Sequence, residues 1–66
     1  MSIAKVIEIL AEGDSIEAAI ESAISEASMT VRDIKHVYVE HIQAIVEDNQ
    51  IQTYRVNAKV TFVVQH

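Results

Sequence analysis

The chain has 66 residues, half of them hydrophobic but only 5% aromatic, with a net charge of −5. It has no cysteine, which excludes a disulfide framework and a thiolate metal site, and its five basic residues are too scattered to grip nucleic-acid phosphates. One domain, residues 1–66, is near the size at which a single core stops sufficing, so self-association is the stabilising device left to it.

Ile3 to Leu10, "IAKVIEIL", is short and β-branched and reads as a first strand. Lys5 and Glu8 interrupt the run, and no basic leader or small-residue cleavage site accompanies it, so a secretory signal is not expected. No apolar stretch approaches the ~20 residues of a bilayer span. The expectation is a cytoplasmic protein with no membrane and no nucleic-acid partner. "AEGD", Ala11 to Asp14, makes a turn. Asp14 or Ser15 then caps a helix, with Glu17 placed three residues after Asp14 as in a capping box. Through "SIEAAIESAISEAS", Ile16, Ile20, Ala23, Ile24 and Ala27 recur at helical spacing beside a polar stripe of Glu17, Glu21, Ser25 and Ser28.

A second strand runs from about Ile34 to Val46, and "EDNQ", Glu47 to Gln50, is the turn of a hairpin. In the last segment Tyr54, Val56, Ala58, Val60, Phe62 and Val64 alternate with Thr53, Arg55, Asn57, Lys59, Thr61 and Val63. The second strand is less regular. Val37 and Val39 share one face, with His36, Tyr38 and Glu40 on the other, but Ile42 and Ala44 have the opposite parity. A β-bulge near Glu40 or His41 realigns them. Strands of about 13 residues reach roughly 40 Å, whereas a helix of about 14 covers about 21 Å. The helix is too short for the sheet, and Ile45, Val46, Phe62 and Val64 are expected to be bare in a monomer, which marks an interface.

"KVIEI" from Lys5, "SEASMTVRDI" from Ser25 and "YRVNAKVTF" from Tyr54 resemble the dodecin family in order, spacing and total length, the last as aromatic-x-Val-x-x-Lys-Val-x-Phe. The resemblance covers essentially the whole chain. It implies an α+β fold of order β-α-β-β, with a three-stranded antiparallel sheet wrapped around one helix. It also implies a hollow homo-oligomer, a dodecamer, that binds riboflavin or flavin mononucleotide (FMN) at sites shared between subunits. Its role is then flavin storage or sequestration rather than catalysis. The family stacks the flavin on a Trp and hydrogen-bonds it through a Gln; the matching positions here are His36 and Arg55. Imidazole gives a smaller stacking surface than indole, and arginine offers donors but no acceptor. Gln43 and Ala44 stand where relatives often have a basic residue and Gly.

The residues themselves leave alternatives open. His36 and Arg55 form an altered ligand pocket, or Arg55 pairs with Glu40 on a solvated strand face. Tyr38 stacks on a ligand, or is a half-buried strand aromatic with a wet hydroxyl. His41 is a metal ligand with Glu40 or His36, or a lone surface histidine. "VEDNQ" offers hard oxygen ligands to Ca²⁺ or Mg²⁺, with three copies around a symmetry axis making up the ligand count, or is a solvated turn. No Ser/His/Asp constellation, phosphate loop or evident pair of carboxylates in a cleft supports an enzyme. The leading reading is a flavin shell with His36, Tyr38 and Arg55 as contacts. Its rival is a shell that has lost flavin and serves as a cation-binding or structural assembly.

Overall fold

The structure, a computed structural model, describes residues 2–65. Strand β1 (Ser2–Gly13) leads into helix α1 (Ile16–Ser28), followed by β2 (Asp33–Glu47) and β3 (Gln50–Gln65). The three strands form one antiparallel sheet in the order β1-β3-β2, so the most regular strand of the sequence takes the centre. The sheet folds around the helix, as the family resemblance implied.

β1 runs three residues beyond the expected Leu10 because Ala11, Glu12 and Gly13 continue the ladder, opposite Val56, Arg55 and Tyr54. The turn is therefore shorter than "AEGD". Ser15, rather than Asp14, caps the helix, its Oγ accepting the Ala18 N–H at 3.0 Å. Glu17 then falls a residue short of the capping-box position, and the Asp14–Glu17 box does not form. Gly13 is a matter of clearance: a Cβ there would lie 2.5 Å from the Ala19 nitrogen and 2.8 Å from the Ala18 carbonyl carbon. The Thr53 hydroxyl donates to the Gly13 carbonyl at 2.9 Å and ties the strand end to β3.

The helix returns from the Gly13–Tyr54 end of the sheet to the end where β2 starts at Asp33, opposite Val63. It lays Ala19, Ala23 and Ala27 on the sheet, against a core that includes Ala11, Val56 and Ala58, with Ile9, Ile20, Val37 and Val39 packed around it. Small side chains at every fourth position let the helix sit close. Ile16 and Ile24, expected on the buried stripe, remain 38% and 36% exposed because the alanines hold the contact line.

The hairpin turns on Asp48 and Asn49, both at positive φ (54° and 62°), the type I′ arrangement whose twist matches its strands. The expected bulge lies at His41 and Ile42: Glu40 pairs with Asn57 and Gln43 with Arg55, two intervening residues facing one. His41 takes a left-handed φ of 55° to accommodate it. Further register shifts fall between Ile34 and His36 and between Ile45 and Val46.

The molecule is 52 Å long, against about 20 Å for a 13-residue helix. The hairpin tip thus lies beyond the helix, with Val46 59% exposed. The opposite end corrects the expectation. Phe62 is only 7% exposed and Val64 half-buried, since the helix runs toward that end and not toward the tip; Ile45, also expected bare, is half-buried as well.

Candidate functional site

Strand parity sorts the sheet into two faces. The inner one carries Val56, Ala58 and Val60 under the helix. On the outer one, cross-strand rows follow from the register: Val6–Thr61–His36, Glu8–Lys59–Tyr38, Leu10–Asn57–Glu40 and Glu12–Arg55–Gln43. All three expected contacts, His36, Tyr38 and Arg55, belong to this outer face. They are not gathered in one place. His36 lies opposite Thr61, six residues along β3 from Arg55, a span of about 20 Å at strand rise. Only His36 and Tyr38 are near neighbours within a subunit. Tyr38 is 61% exposed, so it is not the half-buried strand aromatic of the alternative.

Arg55 does not pair with Glu40. Its Nε and Nη2 donate to Glu12 Oε2 of β1 at 2.8 and 2.5 Å. Glu40 instead meets the Lys59 ammonium at 2.8 Å. The reason is register: Arg55 stands directly opposite Glu12, whereas Glu40 is directly opposite Asn57 and reaches Lys59 on the diagonal. The Lys59 hydrogen bond holds the Glu40 carboxyl below its ordinary value, outweighing desolvation, and the same bond raises the Lys59 ammonium above its own. Glu12 and Lys59 were not among the expected residues. Lys59 was visible in the alternation of β3, but Glu12 enters only once β1 is seen to continue past Leu10.

Between the two ion pairs lies Asn57. Its Oδ1 is buried and accepts no hydrogen bond, although Arg55 and Lys59 flank it on the same face. The Asn57 acceptor sits at the middle of the sheet, with Leu10 on one side and Glu40 on the other. Val6, Leu10 and Tyr38 are large exposed apolar side chains of this face.

Within one subunit the flat side chains of His36 and Tyr38 and the donors of Arg55 therefore lie at separate places on the outer face, too far apart to serve one ring together. Holding a metal is another matter: among the described residues no three His, Asp or Glu side chains converge, so His41, Glu40 and His36 form no cation site within a subunit.

The dodecin family model matches residues 3–65. Among curated proteins none matches the chain in sequence. In structure it is similar to a dodecin from Thermus thermophilus, crystallised as an arginine-to-alanine variant, with a TM-score of 0.90, 24% identity and complete coverage of both chains. The dodecins of Streptomyces davaonensis and Streptomyces coelicolor each superimpose with a TM-score of 0.89 at 24% identity. The alignments cover 98% of this chain and 97% and 94% of theirs. At such identity the solved structures establish the fold, while the family model settles kinship. The chain belongs to the dodecin family.

Proposed function

We propose that this member of the dodecin family is a subunit of a hollow, dodecameric, cytoplasmic shell that binds and stores flavin, as riboflavin or FMN, and does no catalysis. The observation that carries the reading is the outer face of the sheet, where His36, Tyr38 and Arg55 all sit exposed or half-buried on a single surface. Within one subunit His36 and Arg55 are too far apart for one ring, so the site draws them from different subunits. Two outer faces meeting antiparallel about a two-fold axis bring His36 of one toward Arg55 of the other. The imidazole and phenol then supply stacking area, and the guanidinium donates to ring carbonyls. Ile16, Ile24, Met29, Val46 and Ile51, exposed in the single subunit, become contacts of the shell.

The test is a titration of riboflavin and FMN with purified protein, followed by quenching of flavin fluorescence. Saturable quenching that weakens in His36→Ala and Arg55→Ala supports the reading. Absence of quenching at high protein concentration turns it toward a shell that binds Ca²⁺ or Mg²⁺ through Glu47 and Asp48 at its symmetry axes, or one that is purely structural. Light scattering is expected to show one species of dodecamer size, and a stable monomer would overturn the architecture.

A further inference from the structure

The flavin ring has an edge whose pattern is acceptor, donor, acceptor: two carbonyl oxygens with the N3–H between them. A site for it must supply an acceptor. Arg55 cannot, because a guanidinium only donates, and two of its nitrogens are already engaged by Glu12. His36 and Tyr38 of the same subunit lie well along the sheet from Arg55, and those of a neighbouring subunit serve the face of the ring by stacking. Among the described residues one buried side-chain acceptor has nothing to accept, the Oδ1 of Asn57 on this face. A buried polar atom without a partner is costly in any fold, and natural structures retain few. Asn57 follows Arg55 by two residues on the same face of the central strand, about 7 Å away at strand rise.

We propose that Asn57 is the specificity-determining residue of the flavin site, its Oδ1 accepting the ring N3–H while Arg55 donates to an adjacent ring carbonyl. The inference deepens the flavin reading above and rests on it. Three observations converge. The Asn57 acceptor is desolvated and unsatisfied in the free subunit, so a ring that reaches it displaces the groups that cover it. The Glu12 and Glu40 carboxylates beside it each have one oxygen bound, by Arg55 and by Lys59. A carboxamide also places a donor next to its acceptor, so the Asn57 Nδ2 faces the second carbonyl of the same edge. The occupant is defined by that chemistry: a planar heteroaromatic ring with an unsubstituted imide. The Glu12 carboxylate cancels the Arg55 charge, so recognition comes from the ring and not from a phosphate.

The experiment compares riboflavin with N3-methylriboflavin, which carries a methyl group in place of the donor, on the unmodified assembled protein and on Asn57→Val. The expected result is that N3-methylation weakens binding to the unmodified protein by about tenfold or more, because the Asn57 acceptor stays buried without a partner. In Asn57→Val the two flavins should bind alike. Equal binding of both by the unmodified protein overturns the role of Asn57 and leaves the flavin reading standing. Discrimination that persists in Asn57→Val also overturns it, since the methyl group is then excluded by shape elsewhere. Failure of riboflavin to bind the unmodified protein removes both. The comparison on the unmodified protein requires no variant to fold.

Discussion

The two faces of one sheet are finished to different degrees. The inner face is closed within the subunit. Val56, Ala58 and Val60 are fully buried under a row of alanines, and among the described residues no polar side chain is buried with them. The outer face is half built: paired charges at its centre, Val6, Leu10 and Tyr38 exposed, and an amide oxygen buried without a donor. The same strand β3 supplies both, by parity alone. The lesson is that burial of apolar area explains the first face completely, whereas the second makes sense only with something else laid upon it.

Substitutions can break this contrast, and the largest effects belong to the inner side. Gly13→Ala is expected to cost about 3 kcal/mol, because the new methyl group meets helix backbone, not a movable side chain. Chemical denaturation measures it, and an unchanged midpoint would mean the helix does not seat so closely. Val60→Ala follows at about 2 kcal/mol, from the lost burial and the cavity left behind. Neither change is expected to alter the preference between riboflavin and its N3-methyl derivative.

The hairpin tip gives a smaller effect of opposite sign. Asn49→Gly removes the cost of a left-handed φ and should stabilise by about 0.5 kcal/mol, after the added freedom of glycine in the unfolded chain is subtracted. Thermal unfolding would show it as a small rise in Tm. The finest contrast is electrostatic. With its folded-state carboxyl pKa lowered, Glu40 adds stability that is present above the ordinary carboxylate range and is lost as pH falls through the lowered folded value. NMR titration of the side chain should find Glu40 deprotonating below the ordinary glutamate value, and returning toward it in Lys59→Met. A Glu40 titration unmoved by that substitution would deny the ion pair its role.

Much of this could be read in advance. Alternation from Tyr54 to Val64 identified the central strand and both its faces, because strand side chains alternate whatever the partner. The parity break after Glu40 located the bulge, and "EDNQ" located the turn. The site was less legible. His36, Tyr38 and Arg55 share the expected face, yet their spacing along it emerged only when the register put His36 opposite Thr61 and Arg55 opposite Glu12 and Gln43. The Arg55–Glu40 pairing failed for the same reason. It took the hairpin as the sole neighbour of β3, while β1 on its other side supplied a nearer carboxylate. The alternation put Asn57 on the polar face but did not single it out, because its isolation is a property of what surrounds it.

By itself, then, the sequence determined the elements, their order, the bulge, the turn and the membership of each face of β3, all of which follow from local periodicity and turn chemistry. The tertiary structure alone decided that alanines and not isoleucines carry the helix on the sheet, that Phe62 is covered while Val46 is not, and that Glu12 claims Arg55. Those outcomes depend on the register of β1 against β3 and on the direction in which the helix returns. They are set by contacts between residues some forty positions apart, such as the Thr53–Gly13 hydrogen bond and the Arg55–Glu12 pair, which no local pattern encodes.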